Sequence, residues 1–246
     1  MLVKAEQIPT GRISPSGWIK LSTGSYADPN MLMRADGAPL TNINIYQAHT
    51  AAQKLGLRLT DDLEHNALVN TNPEAASQMR NYAVWTSILR DVQTGGSGYT
   101  AKHIARPEVS IADGEYVAKG GEKPVKLPKS GWFKVKELLE SDTGLPTKTY
   151  GDNMPDEPSA YFFIEAGEER HVCRGHWGLR GRREFDAIAY WESLYSGPLV
   201  GARVASDVEP SPIMIAKAEA VGAIEEIGRR YDLSPAEVMA ALGKQL

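Results

Sequence analysis

Seven side chains able to engage an anion crowd into the fourteen residues from 170 to 183: Arg170, His171, Arg174, His176, Arg180, Arg182 and Arg183. Guanidinium forks match phosphate and carboxylate oxygens with paired hydrogen bonds, so this stretch could present a surface for an anionic or phosphorylated glycan. Tyr190, Trp191 and Tyr195 follow, and aromatics with a polar edge suit sugar rings and protein interfaces alike. The candidate ligand-binding set is therefore Arg180, Arg182, Arg183, Tyr190, Trp191 and Tyr195. Arg174 and Arg203 read as scaffold residues that pair with buried carboxylates or carbonyls.

Catalytic and metal chemistry finds less support. Cys173 lies near His171 and His176, but strand alternation places it on the face of His171, and a thiol in apolar surroundings is unreactive. It is expected in the core. The five histidines, His49, His65, His103, His171 and His176, include no pair at the i, i+4 spacing of a helical zinc motif. The carboxylates from Asp152 to Glu157 come nearest to a calcium loop and read as a solvated turn. Gly95 to Gly98 lacks the Lys-Ser/Thr of a phosphate loop. No catalytic residue, cofactor or metal is assigned.

The elements that must position these groups are two strands, Val172 to Gly178 and Gly201 to Val204, joined by a polar stretch from Leu179 to Leu199 that reads as one long loop. Ala160 to Ile164 is expected to be a buried strand beside them. Ile45, Ala48, Ala51, Ala52 and Leu55 recur at helical spacing, with Gly56 as the stop. After a brief extended link at 57–59, Asp61 and Glu64 form a capping box for a second helix carrying Leu63, Ala67 and Leu68 inward. The spacing of Ala76, Met79, Tyr82, Ala83 and Leu89 predicts a third helix over 73–91. Gly17 to Leu21 reads as a strand, 27–30 and 35–37 as turns, 94–128 as long loops with one or two strands, and 132–139 as a short helix.

The organisation expected is a body of residues 1–205 with a loop-rich insertion at 94–158, a Pro- and charge-rich linker at 206–212, and a helical hairpin at 213–246. Ile213, Ala216, Ala220, Ile224, Ile227 and Tyr231 form an apolar stripe on its first helix. Ser234, Pro235 and Glu237 open its second with a capping box. A two-helix unit cannot bury such a stripe by itself, so it is expected to dock on another surface.

Asn44 to Glu64 resembles the helix, turn and second helix of the sulfatase-modifying-factor family, which includes the formylglycine-generating enzymes. Val172-Cys-Arg-Gly-His-Trp177 is similar to that family's V-x-R-G-G-S-W strand, and Gly201-Ala-Arg203 to its closing G-F-R. The matches occur in the family's order and cover about a quarter of the chain. Thr60 stands where the family has proline and His65 where it has tryptophan. The resemblance implies an α+β, C-type-lectin-like fold. The formylglycine-generating members use a downstream cysteine pair to bind copper, whereas Cys173 is the one cysteine here. The same fold displays host-binding surfaces in phage tail adhesins, with the variable region where Leu179 to Leu199 lies.

Composition fits this expectation: 42% hydrophobic, 24% charged, and a net charge of -4 that disfavours nucleic acid as a partner. From Ser206 onward seven acidic residues face four basic ones, which removes the electrostatic footprint of a DNA-reading hairpin. No apolar run reaches the roughly 18 residues of a spanning helix, and none of the first residues form a secretory apolar core, so no membrane insertion is expected. The function expected is non-catalytic binding: a virion or tail-associated phage protein, assembled in the host cytoplasm, that recognises a host-surface glycan or protein. Residues 213–246 would contact other virion subunits in a homo-oligomer. The alternatives are a metal-dependent oxygenase of the same fold and a purely structural virion component.

Overall fold

The computed structural model describes residues 11–14, 17–34, 36–177, 184–191 and 199–243. In chain order the elements begin with β1 (Ile19–Lys20), β2 (Tyr26–Met31), α1 (Ile45–Lys54), β3 (Arg58–Leu59), α2 (Asp62–Thr71), α3 (Pro73–Gln78) and β4 (Ala83–Thr94). Next come β5 (Gly98–Ile104), β6 (Glu108–Ala112), β7 (Glu115–Lys119), β8 (Lys123–Pro128), β9 (Gly131–Lys134) and α4 (Val135–Leu139). The chain continues through β10 (Ser159–Ile164), β11 (Gly167–Trp177), β12 (Glu184–Trp191), β13 (Val200–Ser206), α5 (Pro212–Tyr231) and α6 (Pro235–Gly243).

A mixed sheet of order β1-β2-β13-β4-β11-β12-β10-β9 dominates, giving an α+β architecture with helices at its flanks and at the C-terminal end. One side of β4 pairs with β11 along its length. Its other side is shared, first by β13 in parallel and then by β5 antiparallel. One core lies between the sheet and α1, around Trp85, Ile88, Cys173, Ala202 and Val204. A second forms around Leu89, Phe133, Phe162, Ile164 and Val172. Cys173 and Val172 thus face opposite ways, as strand alternation requires.

Several local expectations hold for the physical reasons given. Asp61 and Glu64 make a reciprocal capping box at α2, and Ser234 and Glu237 exchange hydrogen bonds at the start of α6. Ala67 and Leu68 are buried, with Leu63 half-buried. Ala160 to Ile164 lies in β10, and Cys173 is wholly buried.

Others are corrected. The third helix stops at Gln78. The run from Val84 to Leu89 is buried at every position, which suits a central strand covered on both faces. Residues 94–128 are not mostly loop but carry β5, β6, β7 and β8. The turn expected at 27–30 lies inside β2, where Pro29 falls at a register irregularity between β2 and β13 and so withholds no ladder donor. The supposed loop from Leu179 to Leu199 is interrupted by β12, which pairs antiparallel with β11 and parallel with β10. Residues 132–139 divide between β9 and α4.

The C-terminal hairpin packs on the body, but through a different face from the expected one. Ala218 is buried in the α1 core with Met214 and Ile215 against it. Lys54 pairs with Glu225 at 3.1 Å and Arg12 with Glu226 at 2.7 Å. In the segment expected to be a free linker, Asp207 accepts from Arg58 and Arg106. No helix among the described residues is long and apolar enough to cross a membrane.

Arg203 locks the closing strand in place. Its guanidinium is wholly buried and donates to the Pro29 carbonyl (3.1 Å), the Ala75 carbonyl (3.0 Å) and Gln78 Oε1 (3.1 Å). Asp28, 1% exposed, accepts from the Ser14 and Asn30 amides and faces the same charge. Burial pushes the Arg203 pKa down to about 10 and that of Asp28 up to about 6, and their mutual attraction opposes both shifts. Arg203→Met removes the donors while leaving the acceptors buried. It should destabilise the chain by about 3 kcal/mol in urea unfolding, with Arg203→Lys giving little rescue because an ammonium cannot span the same acceptors.

Candidate functional site

A cleft of about 300 Å³ opens where α2, α3, β9, α4, β10 and the end of β11 converge. Its walls are apolar, with Val69, Met79, Phe133, Val135, Leu138 and Ala160 among them. His65, Asn66, Ser159 and Arg174 supply polar groups. This combination of apolar walls and a few placed polar atoms is the usual make-up of a ligand site, at the small end of the size range.

The polar floor is fixed by α2. Its Asp61 cap starts the helix so that His65, Asn66 and Val69 all reach the cleft. Asn66 Oδ1 accepts from Arg174 Nη2 at 2.6 Å, and Asn66 Nδ2 donates to the Gly144 carbonyl at 2.9 Å. Arg174 lies 3.7 Å from Asp62, which accepts from Ser87 Oγ (2.5 Å) and Thr86 Oγ1 (3.2 Å). Burial raises the Asp62 pKa, while Arg174, His103 and Ser87 favour the ionised form. Arg174 is thus a scaffold arginine, as its sequence context suggests.

Two polar atoms at the cleft have no hydrogen-bond partner: His65 Nδ1 and Ser159 Oγ. His65 is 4% exposed, and burial, with the charges of Arg174 and Arg203, holds its pKa well below the ordinary value. It presents a neutral imidazole. Cys173 offers no thiolate, because burial pushes its thiol well above the usual range. The cleft can therefore seat an apolar group against walls that hold two buried polar atoms without partners.

On α2 the acidic side chains serve the fold. Glu64 is wholly buried and accepts from Ser25, from both Arg58 nitrogens and from Arg106. Burial works against its charge, but these donors outweigh it and hold its pKa below the carboxylate norm.

A separate aromatic cluster surrounds two histidines. Tyr46 stacks on Tyr116 at 4.8 Å, meets His171 edge-on at 5.6 Å and donates to Glu169. His49 Nε2 and both nitrogens of His171 lack hydrogen-bond partners.

None of the six sequence-predicted binding residues has a described side chain. Arg180, Arg182, Arg183 and Tyr195 lie outside the described residues. Tyr190 and Trp191 are on β12, where Trp191 pairs with His171, not on a loop; their side chains are outside the described set. Arg170 is committed to the Ala166 carbonyl at 2.8 Å. Glu157, in the turn weighed for calcium, pairs with Lys134 and Lys136. Among the described residues no group of three or more His, Cys, Asp or Glu could hold a metal ion. Asn66 and Ser159 are not singled out in the sequence, and His65 is weighed there as a metal ligand and as a departure from a family pattern but not as a binding residue. The capping box was the available signal, since it sets the phase that sends His65 and Asn66 to one side. No protein-family model, curated protein or solved structure matches the chain.

Two predictions follow from this geometry. Gly144 has φ +71, and a Cβ there would lie 2.6 Å from the Leu63 amide nitrogen at the start of α2. Gly144→Ala should therefore lower unfolding stability by roughly 2 kcal/mol or more, with the clash and the left-handed backbone acting together.

The second concerns acid. Burial pushes His49 down to about 3 and His171 down to about 4, while His65 and His103 are also lowered. An unfolded histidine protonates near pH 6.5, so stability is complete above that value and falls as the pH drops towards about 4. Asp28, raised to about 6, and Asp62, also raised by burial, oppose this on acidification, but they are two carboxyls against four imidazoles. The urea midpoint should fall on acidification through this window, and His171→Asn should make the fall shallower.

Proposed function

We propose that the chain is a non-catalytic binding protein on a C-type-lectin-like scaffold of the sulfatase-modifying-factor type, associated with a phage virion or tail and recognising a host-surface glycan or protein. The observation that carries the binding reading is the cleft at the end of β11, with apolar walls and the uncommitted His65 Nδ1 and Ser159 Oγ. Arg180, Arg182 and Arg183 follow β11 in the sequence and supply the residue types that an anionic ligand group would need.

The pairing of β13 with both β2 and β4, and the placement of two capped helices between β2 and β4 in sequence, support the scaffold reading. In the resembled family a tryptophan stands at the position of His65. The smaller imidazole leaves room beside Phe133 and Leu138, in keeping with a cleft instead of a filled core.

Binding of the purified chain to glycan panels and to host-cell envelopes tests this. Arg182→Ala, Tyr195→Ala and the cleft-filling Ala76→Phe should each weaken binding at least about tenfold while leaving the circular dichroism spectrum and unfolding midpoint unchanged. Undiminished binding in all three would refute the site. Stoichiometric iron, copper or zinc in the purified protein would overturn the non-catalytic reading in favour of an oxygenase.

A further inference from the structure

Helix α5 has two apolar faces, and only one is used by the body. Ile215, Ala218 and Gly222 turn inward. On the opposite side, Ile213 (69% exposed), Ala216, Ala220, Ala223, Ile227 (37%) and Tyr231 (65%) make a continuous exposed strip, with Ile224 half-buried at its border. This strip contains the stripe legible in the sequence, and the body leaves it uncovered.

The strip is graded. Past Ile213, the part up to Ala223 is small, with Ala216, Ala220 and Ala223, and the C-terminal part is large, with Ile224, Ile227 and Tyr231. An antiparallel copy related by a twofold axis between Ala223 and Ile224 brings each small residue opposite a large one: Ala223 to Ile224, Ala220 to Ile227, and Ala216 to Tyr231. Large residues then seat over small ones from 216 to 231, as close helix packing requires, with Ile213 beyond the end of the contact.

The charges agree with the same axis. Glu219 and Arg230 are both exposed and form no ion pair among the described residues. They are three helical turns apart and so lie on one flank of the strip. Across the twofold, Glu219 of one copy falls about 3 Å along the axis from Arg230 of the other, within reach of a salt bridge, and the symmetry makes this contact twice. An arbitrary apolar partner has no need of this grading or of the charge placement; a second copy of this chain meets both.

We propose that the exposed face of α5 pairs two copies of the chain through an antiparallel, twofold-symmetric helix contact centred between Ala223 and Ile224. The contact leaves the cleft, formed by α2, α3, β9, α4, β10 and β11, outside the interface.

Sedimentation of the full-length chain over a wide concentration series tests the pairing. The expected result is a monomer–dimer equilibrium that Ala220→Arg shifts by more than about tenfold towards monomer, with an unchanged circular dichroism spectrum, because it buries unpaired charge at the contact. Glu219→Arg and Arg230→Glu should each weaken the dimer by roughly three- to tenfold, and the double reversal should restore it. A monomer at every concentration overturns the proposal, as does a dimer indifferent to Ala220→Arg. Failure of the double reversal to recover what the single changes lose overturns the antiparallel register.

Discussion

A guanidinium buried with no access to water must have its donors met by protein acceptors, and Arg203 meets that demand by joining elements that are distant in the chain. Pro29 offers a carbonyl at the irregularity in β2. Ala75 offers one of the carbonyls that the short helix α3 cannot satisfy internally, and Gln78 adds its side-chain oxygen. The closing strand β13 is thereby tied to the opening strand and to the helix that walls the cleft. Removing the positive charge would also leave the buried Asp28 facing no cation, so the arrangement is held from both ends.

The same reasoning accounts for α2, whose character is polar and yet buried. Asp61, Asp62, Glu64, His65 and Asn66 are all inaccessible, because the helix lies against partners that offer donors on several sides. Glu64 and Asp61 face Arg58 and Arg106, Asp62 faces Ser87 and Thr86, and Asn66 faces Arg174. Satisfied networks of this kind fix orientation more sharply than apolar packing does, since a small rotation would break several hydrogen bonds together. The cleft floor inherits that rigidity.

Features set by neighbouring residues were legible in the chain. The Asp61–Glu64 and Ser234–Glu237 capping boxes, the apolar strand β10 and the core placement of Cys173 all depend on residues close in sequence. The segment from Ala83 to Leu89 was misread because a strand buried on both faces loses its alternation and becomes compatible with helical spacing. Strands β5 to β8 were obscured by the Gly, Lys and Pro that edge strands use to discourage pairing with other chains, a vocabulary shared with loops. The polar start of β12, Glu184-Phe-Asp186, hid a strand within the presumed loop. The cleft could not be seen at all, since its walls come from six elements between His65 and Gly175, and it exists only once they converge.

The position of β13 between β2 and β4 has a consequence for synthesis. While the first 199 residues emerge from a ribosome, the two strands that will flank β13 have no common neighbour, and part of the edge of β4 stays open. Domains of this connectivity cannot finish the central sheet until β13 has cleared the exit tunnel, so the final closure waits for every other strand and is long in loop length. A chain cut short before Val200 would lack both the strand that fills this slot and the arginine that locks it. The last sixth of the sequence, coming after β13, is free of that requirement: α5 docks on a core that includes Val200, Ala202 and Val204 of β13, which makes its docked face a report on completed folding.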